Sequence, residues 1–188
     1  MPYPEGHKEK VRGRIIESAA KAFRSNGIRD ISVPAIMKGA GLTHGGFYSH
    51  FGSKEQLVSE ACSYAVSDTI ALLEKAADNE KVDNKIHAVI DYYLSPYHRD
   101  HTETGCILPS LSNEISRSSE EVRQVFTHEL DRIIDFISKL AETDKATGSA
   151  LLSLLIGTLV LARSVIDTKL SDSILAAGRQ HARALLNS

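Results

Sequence analysis

Between Leu42 and Phe51 the chain reads Leu-Thr-His-Gly-Gly-Phe-Tyr-Ser-His-Phe. Leu42, Phe47 and Phe51 recur at helical spacing and can anchor a short helix on an apolar surface. His44, Gly45, Tyr48, Ser49 and His50 occupy the other face, and none of them is a carboxylate. Such a face suits a polyanion. Hydrogen-bonding side chains, glycines that let backbone come close and the positive end of a helix all attract phosphate. Thr43 is expected to cap this helix through its hydroxyl.

A second group of reactive types lies further on. His98, His101, Glu103 and Cys106 are all legitimate Zn²⁺ ligands, but their spacing fits no standard closed site, and a histidine-bearing surface loop is the commoner reading. No metal or cofactor is therefore expected. Cys106 follows Gly105 and is expected at a helix N-terminus, where the dipole lowers a thiol pKa and makes the group a candidate for ligand or redox sensing. A buried, inert thiol lining a small-molecule pocket is nevertheless the preferred reading. Cys62 is expected to be plain packing. No nucleophile elbow, phosphate loop, pair of catalytic carboxylates or HExxH pattern is present, so no enzyme is expected.

The elements that must position the polyanion face are readable on either side of it. Ser32 can cap a helix over Val33 to Gly39, and Gly41 supplies a turn before Leu42. Helix, short glycine-containing turn and second short helix make a helix-turn-helix, whose second helix enters the DNA major groove. Ser53 then caps a further helix with Lys54 in its first turn, placed to reach a backbone phosphate. A pair of short helices inside any all-α domain would share this spacing, so the residue types must decide.

They do so by resemblance. Ser32-Val33-x-x-Ile36-Met37-x-x-Ala40-Gly41-Leu42-Thr43-x-Gly45-x-x-Tyr48-x-His50-Phe51-x-Ser53-Lys54-Glu55-x-Leu57 closely resembles the DNA-binding signature of TetR-type transcriptional regulators, over roughly residues 11–58. One position departs from it. Many members carry Thr where this chain has Ile31, which leaves the cap and phosphate contact there to Ser32 alone. The resemblance implies an all-α protein: a three-helix helix-turn-helix DNA-binding domain at residues 8–54, then a larger helical ligand-binding and dimerisation domain at residues 55–188. On this reading Ser32, Thr43, Tyr48 and Lys54 contact phosphate. His44, Gly45 and Gly46 lie closest to base edges, and Tyr48 and His50 reach bases or backbone. The implied partners are a double-stranded palindromic operator, a second copy of the chain through the last two helices, and an unknown small-molecule or electrophile inducer. Gly-Cys-x-Leu around Cys106 also looks like the corresponding segment of family repressors that sense electrophiles or oxidants. Repression is the expected outcome, with activation as the alternative.

Composition agrees with this division. The 188 residues carry a net charge of only −2, but residues 1–54 hold nine basic against four acidic residues. The remaining thirteen of 22 Lys/Arg face twenty of 24 Asp/Glu. A basic segment joined to an acidic one is the asymmetry of a nucleic-acid-binding protein. The most apolar run, residues 150–162, is shorter than the roughly 20 residues that span a bilayer. With a polar N-terminus (Pro2, Pro4, Glu5, His7) and two cysteines, a soluble cytoplasmic protein without membrane contact is expected.

Helical periodicity continues elsewhere. Lys8 to Asn26 is expected as a helix stopped by Gly27, and its Lys8, Lys10 and Arg12 are candidates for DNA backbone contact. The helix from Ser53 runs unbroken towards Leu73. Asp78 to Asp83 reads as a polar connection, Lys85 to Leu94 as a helix, and Pro96 to Gly105 as irregular. A short helix interrupted near Pro109 follows. Glu120 to Glu142, Asp144 to about Asp167, and Ser171 or Asp172 to about Leu186 complete the set. The middle of the penultimate helix is apolar all round, which implies burial on every side, by its own subunit or by a partner.

Overall fold

The computed structural model describes residues 6–78 and 84–187, so Pro2, Pro4, Glu5 and residues 79–83 of the expected polar connection lie outside the described part. Among the described residues every regular element is helical. Helix α1 (His7–Asn26) buries Ile15, Ala19, Ala20 and Phe23, a stripe at helical spacing. It ends at Gly27, whose φ of +80° suits glycine and whose N–H returns to the Phe23 carbonyl at 2.9 Å. Helix α2 (Val33–Gly39) starts where Ser32 Oγ accepts the Ala35 N–H, with Pro34 in its first turn. Such a cap contributes about 1 kcal/mol. Gly41, at φ +69°, turns the chain into a short 3-10 helix, His44–Ser49.

Helix α3 (Lys54–Ala77) is capped by Ser53 Oγ on the Gln56 N–H at 3.0 Å. Its 24 residues run unbroken and pack against α1, then against α4 (Lys85–Tyr93) and α7 (Glu120–Leu140). Leu57, Ala61, Ala65, Val66 and Leu73 form its buried stripe. Each large aliphatic among them contributes roughly 1.5–3 kcal/mol by leaving water. Helix α8 (Lys145–Ser164) opens on an Asp144 cap and is the one helix among the described residues long and apolar enough to cross a membrane. It packs instead on α7, on α6 (Leu108–Ile115) and on α9 (Thr168–Leu185), burying Leu151, Leu155 and Leu159.

Three local expectations are corrected. The stretch from Pro96 to Gly105 is ordered, not irregular: α5 (Pro96–Asp100) is capped by Ser95 Oγ on the His98 N–H at 3.1 Å, and a 3-10 turn covers Thr102–Thr104. Pro109 does not interrupt a helix but sits in the first turn of α6, where its missing N–H would have no intrahelical partner anyway. The last helix begins one turn early, because Asp167 caps it by accepting the Leu170 N–H at 3.0 Å. Ser171 is buried and donates to the Ala162 carbonyl at 2.7 Å, tying α9 back to α8.

Candidate nucleic-acid interface

The polyanion face is held from beneath by aromatic packing. Phe47 and Phe51 are buried, with ring centroids 5.6 Å apart and stacked, and Phe47 meets Tyr48 edge-on at 5.2 Å. Anchoring through Phe47 leaves Tyr48 outside, 73% exposed. His44 and Gly45 are exposed beside it, Gly46 is half-buried, and a methyl added at Gly45 would meet nothing within 4 Å. The element takes the tighter 3-10 form over its six residues, two of them glycine. Ser49 Oγ donates to the Gly46 carbonyl at 2.7 Å and closes the turn.

Thr43 does not act as expected within the element. It stands at the N-cap position, but its side chain accepts no capping bond; the turn closes through backbone, Gly46 N–H to the Thr43 carbonyl at 3.2 Å. The exposed Thr43 hydroxyl therefore faces solvent. Ser32, also exposed, uses its oxygen to cap α2. From Ile31 to Ser53 the chain contains no Asp or Glu, so no carboxylate of this segment opposes an approaching phosphate.

Three basic side chains have occupations that local reading missed. Arg12 forms a bidentate ion pair with Glu60 of α3, donates Nε to the His50 carbonyl at 3.4 Å, and stacks over the Phe51 ring at 4.5 Å. Its guanidinium thus braces the 3-10 helix between α1 and α3. Lys54 Nζ donates to the Ile28 and Ile31 carbonyls, both at 2.7 Å, which leaves one of its three N–H groups for a phosphate. Arg14 and Ser18 of α1 similarly hold α2, on the Ala40 and Ile36 carbonyls. Helical spacing places Arg14 and Ser18 on one side of α1 and Arg12 on another; nothing local names their partners.

His50 is half-buried, and its Nδ1 has no hydrogen-bond partner. Burial, reinforced by Lys8 and Arg12, pushes its pKa down and favours the neutral ring.

The second reactive group separates on folding. His98 is buried with both nitrogens engaged: Nδ1 meets the Tyr93 carbonyl at 2.7 Å, and Nε2 accepts the Cys106 N–H at 3.0 Å. His101 and Glu103 are exposed and face each other at 3.4 Å. No cluster of three metal-ligating side chains exists among the described residues. Cys106 precedes α6, as expected, but is 2% exposed, and burial pushes its thiol pKa up, outweighing the Tyr93, Leu108 and Thr69 hydrogen bonds that pull it down. Desolvation thus opposes the dipole-lowered pKa of the reactive-thiol reading and agrees with the preferred reading of a buried thiol. Cys62 is buried in α3, its pKa pushed up to about 12 by burial.

An exposed, carboxylate-free surface of hydroxyls, imidazole and glycine backbone, braced by aromatic packing, can accept phosphate and present side chains to base edges. The family model described as "Bacterial regulatory proteins, tetR family" matches residues 15–61. An HTH-type transcriptional regulator of Bacillus subtilis, YfiR, is 24% identical over 72% of this chain and 66% of its own length. The HTH-type transcriptional repressor KstR2 of Mycobacterium tuberculosis is 42% identical over 29% of this chain and 28% of its own. This chain thus spans just under two thirds of the first relative and little more than a quarter of the second. In fold, it is similar to the reduced form of NemR from Escherichia coli (TM-score 0.75, 18% identity, 93% of this chain and 96% of that one). A TetR transcriptional regulator from Chloroflexus aurantiacus is comparable (TM-score 0.74, 22% identity, 96% of both chains).

Proposed function

We propose that the chain is a TetR-type DNA-binding transcriptional regulator, as the match of residues 15–61 to that family's model supports, and that it is a cytoplasmic repressor that binds a palindromic operator as a homodimer and releases it when its body takes up a signal. The observation that carries this reading is the exposed face of His44, Gly45, Tyr48 and Ser49 in a segment without a carboxylate. Residues 8–54 serve as the DNA-binding head and residues 55–188 as the body.

In the head, Ser32, Thr43, Tyr48 and the remaining donor of Lys54 contact phosphate. His44, Gly45 and Gly46 approach base edges, and His50 and Tyr48 stand next to them. Phosphate contacts set register and affinity; base-edge contacts set sequence. The partner copy packs on the outer side of α8 and α9, where Val160, Leu161 and Leu170 are exposed although large and apolar, and Ile166 protrudes from the turn between them. Two-fold symmetry places the heads on half-sites about one DNA turn, or a multiple, apart.

The signal acts through α3, which joins head to body without a break. A molecule entering between the long helices tilts α3 and changes the spacing of the heads. A coupling of about 1–3 kcal/mol changes operator affinity roughly 5–150-fold. Burial of Cys106 favours a small-molecule inducer over direct attack on the thiol; a redox signal would first have to open the core. No catalytic role is proposed for any residue.

Selection of binding sites from random duplex DNA with the purified protein tests the reading, at low and at physiological salt. An enriched palindrome is the expected result. No enrichment even at low salt, where backbone contacts are strongest, overturns it.

A further inference from the structure

One carboxylate of the body grips the backbone of the head. Glu114 lies on α6, and its oxygens accept the Ile28 N–H at 3.2 and 3.1 Å and the Arg29 N–H at 3.0 Å. Both donors belong to the loop between α1 and α2, just past the end of α1. The fit is close: a methyl at Gly27 would stand 2.2 Å from Glu114 Oε1, and Gly27 also holds φ at +80°. From the other side the same loop is tied to the start of α3 by Lys54, at 2.7 Å on the Ile28 and Ile31 carbonyls. The loop is thereby fixed at both N–H and C=O groups, 86 residues apart in sequence on the Glu114 side.

We infer that Glu114 is a positioning residue for operator recognition: it sets the angle of the head on the body, and through that angle the separation of the two heads. The inference rests on the dimeric reading above. Its physical basis is leverage. Lys54 ties the loop to α3, the pivot that head and body share, whereas Glu114 ties it to α6, outside that pivot. Bonds to an ionised acceptor are about twice as strong as neutral ones and hold the angle firmly. Without them the head's own DNA contacts persist, but its orientation relaxes about α3. Binding to one half-site should be indifferent to that relaxation, and simultaneous binding to two should not, since effective concentration depends on geometry.

The test titrates full-length wild type, Glu114→Gln and Glu114→Ala against duplexes carrying one half-site, two at the selected spacing, and two with spacing altered by one base pair. The half-sites come from the selection experiment. The one-half-site affinity is expected to match wild type in both variants. The two-half-site affinity is expected to fall roughly tenfold in Glu114→Ala, within the usual range of coupling between sites. Glu114→Gln, which keeps one acceptor oxygen, should lose less. The penalty for altered spacing should shrink in both. Gly27→Ala approaches the same contact from the other side and should give the Glu114→Ala pattern, with no further loss when the two are combined. Equal spacing penalties in wild type and Glu114→Ala overturn the inference, as does a uniform loss on all duplexes, which would mark a folding defect. If wild type itself does not favour two half-sites over one, the dimeric reading falls and the inference falls with it.

Discussion

Lys54 and Glu114 hold the same residue from opposite ends of its backbone: Lys54 Nζ donates to the Ile28 carbonyl at 2.7 Å, and the Glu114 carboxylate accepts the Ile28 N–H at 3.1 Å. A cation from the first turn of α3 and an anion from α6 therefore meet at one loop residue. The arrangement gives Lys54 a structural duty besides any contact with DNA.

That duty changes what its removal should do. Lys54→Ala is expected to lower the stability of the fold by roughly 1–3 kcal/mol, because two carbonyls lose a charged donor. It should also flatten the dependence of DNA affinity on salt by about one unit, the signature of one lost phosphate contact. Urea unfolding and a salt titration separate the two. A stability loss with an unchanged salt slope would leave Lys54 as a loop staple only.

His98 makes stability depend on pH. Burial pushes its pKa from 6.5 down to about 4, against the upward pull of the Tyr93 carbonyl. The folded ring stays neutral while the unfolded chain binds a proton, so the contribution is fully present above pH 6.5 and is lost as pH falls towards 4. The ceiling is about 3 kcal/mol, from a shift of that size. Urea unfolding at pH 7.5, 6 and 5 should show the decline, and His98→Gln should reduce its slope. An unchanged slope in the variant would assign the decline to other groups.

Both cysteines are buried with raised thiol pKa values. Iodoacetamide at pH 7 should therefore label the native protein slowly and the denatured protein fast. Rapid native labelling of Cys106 would show that the core around α6 opens and would restore direct thiol sensing as the signal. Cys106→Ser should leave operator binding intact. If an oxidant releases wild type from DNA but not this variant, the thiol lies in the signal path.

Leu161 stands 58% exposed on α8, an apolar side chain with no cover from its own subunit. A charge introduced there should disrupt a partner surface without touching the core. Leu161→Glu is expected to sediment as a monomer with unchanged helicity, and to lose at least roughly tenfold in affinity for a palindrome through lost avidity. A dimer of normal stability would move the interface elsewhere.

Much of this protein was legible along the chain because its signals act over three or four residues. Ser32, Ser53 and Asp144 cap the helices that follow them, Gly27 and Gly41 turn the chain at positive φ, and Leu42, Phe47 and Phe51 set which side of the short helix faces inward. Helical class and the exposed, carboxylate-free face follow from such spacing and residue types, since capping and periodicity are local physics. The tertiary structure decided what depends on distant groups and on burial. Arg12 finds Glu60 at 48 residues' separation and Glu114 finds Ile28 at 86, distances that no helical period encodes. Cys106 shows the same limit. Its place ahead of α6 predicted a lowered pKa, but the sign was set by desolvation, and desolvation depends on every element that closes over the thiol.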